Sequence, residues 1–142
     1  MKKLLSIVLI ALLLCSLLPV TAFAESPTPW SSTNFIRCSI YYSPQPYAIN
    51  MTFTAIGRDI CSELGLSSYT IVRVDDGYTF SPYAGSISTD TDVFSHSRVF
   101  YGASGSTYTI RAVFYSMLNG KFETAIVTTD PFTLPPPSSN TN

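Results

Sequence analysis

The sequence predicts an all-β sandwich, and three observations lead there. Between residues 35 and 134, short runs rich in β-branched and aromatic residues recur about every ten to fifteen residues, with turn residues between them. Ile49, Met51, Phe53 and Ala55 alternate with Asn50, Thr52 and Thr54, the period-two pattern of a strand with one buried and one solvated face. Asn119-Gly120 separates two such runs, and Asn-Gly is a strong hairpin signal because both positions tolerate positive φ.

About seven strands fit this pattern. The first runs from Phe35 to Ser43 and stops at Ser43-Pro44-Gln45-Pro46, where proline cannot donate to a ladder. The second is the alternating run Ala48 to Ile56. From Arg58 to Leu66 the alternation breaks, and Ile60, Leu64 and Gly65 fit a helical turn or wide loop carrying Cys61 over one end of the sandwich. A third strand, Tyr69 to Val74, ends at the turn signal Asp75-Asp76-Gly77, and a short fourth covers Tyr78 to Phe80. Ala84 to Asp92 reads as an exposed loop before a fifth strand, Phe94 to Tyr101. The sixth and seventh strands flank Asn119-Gly120, with Tyr108, Ile110, Ala112 and Phe114 alternating before it and Phe122 to Thr129 returning after it.

The amino terminus has a different character. Lys2 and Lys3 precede an apolar run from Leu4 to Leu18, and Ala22-Phe23-Ala24 offers small residues at the −3 and −1 positions of a cleavage site. Residues 1–24 are expected to be a secretory signal peptide, since the run of about fifteen residues falls short of the roughly twenty needed to span a membrane. Residues 25–34, with Pro27, Pro29 and Trp30, are then a flexible lead-in, residues 35–134 the domain, and residues 135–142 a Pro/Ser-rich disordered tail. The expected destination is extracellular, with no membrane attachment after cleavage. Loss of Lys2 and Lys3 takes the formal net charge from −1 to about −3, which leaves no basic stripe for nucleic acid.

Cleavage also removes Cys15 and leaves Cys38 and Cys61 as the only cysteines in an oxidising compartment, so one disulfide is expected, with two buried free thiols as the alternative. A bridge closing a loop of about 23 residues would stabilise the fold by roughly 3 kcal/mol in the chain-entropy picture. The residues Arg37-Cys38-Ser39-Ile40, Asp59-Ile60-Cys61 and the late run Gly102, Gly105, Tyr108, Phe114-Tyr115 together resemble a loose group of short secreted proteins of Gram-positive bacteria that are similar to immunoglobulin or fibronectin type III sandwiches. The resemblance spans Phe35 to Thr129. It implies an immunoglobulin-like fold with a Cys38–Cys61 bridge, and it implies no activity. Tyr108 occupies the place where such sandwiches put a tyrosine that bonds back to the preceding turn.

Few residues suit catalysis. His96 is the single histidine, and its neighbours Ser95 and Ser97 point to the opposite face of a strand, which separates a hydroxyl nucleophile from its base. A small secreted hydrolase using His96 is therefore the alternative reading, not the leading one. Asp75-Asp76 and Asp90-Thr91-Asp92 can supply part of a calcium shell, yet neither has the spacing of an EF-hand, and turn formation accounts for both. No cofactor is expected. The compositional excess is aromatic, with nine tyrosines all after the leader, and Tyr41, Tyr42, Tyr47 and Tyr83 are candidates for an exposed patch that stacks on sugars or anchors a protein contact. The expectation is an extracellular binding module with a protein or surface-glycan partner. A self-associating surface protein is a further alternative, since Phe122 to Thr129 has only Lys121 and Glu123 to guard an edge.

Overall fold

The computed structural model describes residues 22–25 and 32–138. The body of the predicted leader, Cys15, Trp30 and residues 139–142 lie outside the described residues. The described chain is all-β, and its strands are β1 (Ala22–Glu25), β2 (Phe35–Gln45), β3 (Ala48–Arg73), β4 (Tyr78–Tyr101), β5 (Thr107–Leu118), β6 (Lys121–Thr128) and β7 (Phe132–Thr133). They form one antiparallel sheet in the order β1-β2-β3-β5-β6, with β4 on the second edge of β3 and β7 on β5. The sheet curls on itself into a half-barrel. Where the sequence suggests separate stacked sheets, a single sheet supplies both layers.

The reason lies in β3. Its first half, Ala48 to Gly57, pairs with β2, and its second half, Glu63 to Arg73, pairs with β5. Along its other edge β4 runs with it nearly throughout, so β3 and β4 make one long hairpin that folds over at a corner. At that corner Ile56 faces Val93 and Cys61 faces Thr91, which leaves several unpaired residues on β3 against one on β4. Surplus residues on one strand bend and twist it. A Cβ at Gly57 would lie 2.9 Å from both the Asp59 carbonyl oxygen and Cys61 Sγ, so the tight corner requires glycine there.

Two sequence expectations are corrected by this geometry. Arg58 to Leu66 is not a helical turn but the bulged corner and the restart of β3, and Ala84 to Asp92 is not a loop but the first half of β4. Local pattern misled in both places because the corner interrupts the alternation and because β4 has an exposed edge, where polar residues are tolerated. The turns follow the sequence more closely. Arg73 and Tyr78 pair across Val74–Gly77, where Gly77 has φ 70°. Leu118 and Lys121 pair across Asn119 (φ 51°) and Gly120 (φ 74°), a primed two-residue turn.

Folding over brings apolar faces together. Ile40, Ile49, Met51 and Phe53 from one layer meet Leu64, Leu66, Ile71, Ile110 and Phe114 from the other, all at most 1 % exposed. Opposite the corner, Phe132 of β7 packs on Tyr42 with ring centroids 4.3 Å apart. Tyr108 is fully buried there, and its hydroxyl accepts a hydrogen bond from Ala103 N at 2.9 Å, holding the turn that precedes β5.

At the corner end, β6 is tied to the segment leading into β2. The Glu123 carboxylate accepts hydrogen bonds from Asn34 N (2.8 Å), Thr33 N (3.2 Å) and Thr33 Oγ1 (3.1 Å), while Asn34 Nδ2 donates to the Lys121 carbonyl (2.8 Å). Arg58 joins the cluster by donating its Nε to the Ser32 carbonyl at 2.9 Å. Burial alone would raise the Glu123 pKa, but the donors from Asn34, Ser32 and Thr33 outweigh it and hold the carboxyl below its ordinary value.

Glu123→Gln should destabilise the fold by about 1–2 kcal/mol at neutral pH, since the bonds become uncharged and one acceptor is lost. A depressed folded-state pKa means the stabilisation is complete above the unfolded-chain value near 4.5 and disappears as pH falls through the lower folded one. The wild-type and Glu123→Gln urea midpoints should therefore converge below pH 4. A second variant, Tyr108→Phe, should cost about 1–2 kcal/mol by leaving Ala103 N–H without its partner, as read by the same denaturation.

Candidate functional site

Folding β3 over itself places both halves of β4 along one side of the half-barrel, forming two lips of an opening. On the first lip, even-numbered residues of β4 face inward: Phe94 and Phe100 are buried, His96 is half-buried and Arg98 is exposed. On the second, Tyr83 pairs with Tyr69 of β3 and stacks on it, with centroids 4.9 Å apart and planes 17° apart. The lips meet through Phe53, which pairs with His96 and packs on Tyr69 at 4.8 Å, and through Phe80 against Phe100 at 4.7 Å.

Arg98 is the charge that acts on both Tyr69 and His96. Burial raises the Tyr69 pKa, and the nearby Arg98 guanidinium partly offsets that rise. Burial also lowers the His96 pKa, and the positive field of Arg98 lowers it further. His96 Nε2 is buried and has no hydrogen-bond partner. Tyr83 remains 38 % exposed, which leaves an accessible aromatic ledge beside a cation.

Because β4 is an edge, the opposite face of the first lip is equally accessible. Asn50, Thr52 and Val99, with Ser97 and Arg98, line a shallow depression there, and Thr52 Oγ1 lies 2.9 Å from Ser97 Oγ. Beyond it lies Tyr101, 79 % exposed and opposite Ala48. The arrangement offers stacking surface, a guanidinium and a row of hydroxyl and amide groups within one strand width, which suits recognition of a polyhydroxylated ligand by hydrogen bonds and ring stacking.

The other sequence candidates are distributed as follows. Tyr42 is core, 6 % exposed beneath Phe132, and Tyr41 is half-buried on the opposite face of β2. Tyr47 is exposed in the β2–β3 turn, where its carbonyl accepts from Gly102 N at 3.0 Å. Of Tyr41, Tyr42, Tyr47 and Tyr83, the structure places only Tyr83 in the opening, so the four do not make one patch. Sequence reading missed Tyr69 and Arg98. The usable signal was parity: Phe94, His96, Arg98 and Phe100 share a strand face, which directs Arg98 to the same side as His96.

His96 stacks on Phe94 at 6.1 Å, while Ser95 and Ser97 are exposed on the other face of β4, as strand geometry dictates. The Asp75-Asp76 pair serves a turn. Asp76 accepts from Arg73 Nε (3.0 Å), Arg73 Nη2 (2.6 Å) and Tyr78 N (3.1 Å), and the Arg73 bond holds its pKa down to about 2. Asp75 accepts from Thr107 N at 3.0 Å, bracing β5. Asp90 and Asp92 sit at the corner of β4, where Asp90 has φ 51°. Among the described residues no group of three or more His, Cys, Asp or Glu side chains is arranged to hold a metal ion.

The expected Cys38–Cys61 disulfide is absent, and both cysteines are buried free thiols. The corner explains this: Cys38 sits opposite Ala55, while Cys61 lies past the bulge with its Sγ donating to the Asp59 carbonyl at 3.4 Å. Burial, with help from the Glu123 charge, pushes the Cys38 pKa up to about 12; burial and then Asp59 and Asp92 raise that of Cys61. Thiols that stay protonated and covered are poor nucleophiles.

Compared with known proteins, the chain matches no family model, no curated protein and no solved structure.

Native protein at pH 8 should resist iodoacetamide at Cys38 and Cys61, and both should alkylate after unfolding in urea without reductant. Intact-mass measurement reads the difference directly, and a two-hydrogen deficit before reduction would indicate a bridge.

Proposed function

We propose that the chain is an exported binding module built on an immunoglobulin-like core, and that the opening between the halves of β4 recognises a surface glycan. Export is supported by the leader pattern of residues 1–24. The immunoglobulin-like reading of the core is supported by the buried Tyr108, whose hydroxyl bonds back to the turn before its strand. The observation that carries the glycan reading is the Tyr69–Tyr83 stack beside Arg98, with one face of Tyr83 accessible.

A sugar ring laid on Tyr83 would place its hydroxyls near the Arg98 guanidinium. Asn50, Thr52 and Ser97 extend the same surface over the strand edge. This reading needs no cofactor and no chemistry, only a rigid frame, which the paired halves of β3 and β4 supply. A protein partner on the same surface would use the same aromatic anchors.

Purified secreted protein should bind a subset of surface polysaccharides on a glycan array, and Arg98→Ala and Tyr83→Ala should each weaken binding at least tenfold with little change in thermal midpoint. Absence of glycan binding by the wild type would overturn the reading. Unaltered binding by both variants would move the site elsewhere.

A further inference from the structure

The segment Ala22-Phe23-Ala24-Glu25 has two incompatible uses. In sequence it is the cleavage site of the leader, and in the structure it is β1, the terminal strand of the sheet. It pairs antiparallel with β2, Ala22 opposite Tyr42, Phe23 opposite Tyr41, Ala24 opposite Ile40 and Glu25 opposite Ser39. Ala24 belongs to the buried core and Ala22 packs against it, while the strand also lies against β6. β1 thus fills the gap between the two ends of the curled sheet, and alanine-sized side chains suit a gap narrowed by Ile40 and Tyr42.

Cleavage after Ala24 removes three of the four residues of β1 and leaves that gap empty. Ile40 and Tyr42 lose cover, and the β2 backbone from Ser39 to Tyr42 becomes an unpaired edge, a template for another strand.

We propose that the processed protein accepts an extended strand from a partner protein at the β2 edge, antiparallel, in the register that Ala22–Glu25 takes. The ligand is a peptide with small apolar side chains at the two inward positions and free choice at the outward one between them. Main-chain hydrogen bonds to residues 39–42 provide affinity, and the narrow gap between β2 and β6 provides specificity for small side chains. The residues that follow the cleavage site do not serve, because Pro27 and Pro29 cannot maintain the ladder. This inference rests on the proposed export and processing and is independent of what the β4 opening binds.

The test uses protein purified from culture medium and a capped synthetic peptide spanning Thr21 to Ser26. Amino-terminal sequencing should find Glu25 first, calorimetry should find saturable one-to-one binding, and the thermal midpoint should rise with peptide concentration. A peptide carrying Ala22→Leu and Ala24→Leu should bind at least tenfold more weakly. Should the processed chain be partly unfolded alone, the native circular dichroism spectrum should return with the Thr21–Ser26 peptide and not with the leucine peptide. An amino terminus at or before Ala22, no effect of the peptide, equal binding of both peptides, or a dimer of the processed chain that excludes the peptide would each overturn the proposal. Only the first of these also removes the cleavage on which it rests, and none affects the glycan test.

Discussion

The architecture depends on how the edges of β3 are shared. One edge is given to β4 almost without interruption, and the other is handed from β2 to β5 where the chain turns the corner at Gly57 to Ile60. A strand with two different partners on the same edge must carry them into different layers once it bends. The hydrophobic faces of Ile49, Met51 and Phe53 and of Leu64, Leu66 and Ile71 then close on each other without any crossover connection, each large side chain worth about 1.5–3 kcal/mol on leaving water. A sheet of this kind has a crease rather than a gap between its layers.

A crease produces one closed side and one open side. The β2–β6 side is drawn together at its two ends, by the Glu123 carboxylate holding residues 33–34 and by Phe132 seated on Tyr42. Polar bonds act at one end and aromatic packing at the other, so the two closures respond differently to acid and to loss of apolar surface. On the β4 side the halves meet through Phe80 against Phe100. There the strand is an edge on both lips, and its side chains alternate between the interior of the opening and the solvent-facing sheet surface. Tyr83, Arg98 and the Asn50–Ser97 surface lie along this edge, where the backbone has no further strand to cover it.

The cysteines show how composition and placement diverge. Two cysteines after a leader-like segment favour a bridge on composition, and their positions in sequence, one in a strand and one in an irregular stretch, do not contradict it. The bulged corner sends Cys61 toward the Asp59 carbonyl, and burial keeps both thiols protonated. With no bridge between them, the corner is held by hydrogen bonds through Arg58, Asn34 and Glu123 instead.

What the sequence determined by itself was the all-β class, the turns at Asp75-Asp76-Gly77 and Asn119-Gly120 and the alternating faces of the first part of β3 and of β5, because turn chemistry and period-two burial act over a few residues. It also singled out Tyr108 as an anchor and separated His96 from its flanking serines, since both follow from local position. Only the tertiary structure decided that one strand would serve two layers, that the polar stretch from Ala84 to Asp92 would be strand, and that Tyr69, Tyr83, His96 and Arg98 would share an opening. Those outcomes depend on which edges of β3 remain free after β2 and β5 have paired, a competition between segments far apart in the chain. Alternation names the face on which a side chain stands, and it takes the fold of the sheet to decide what that face meets.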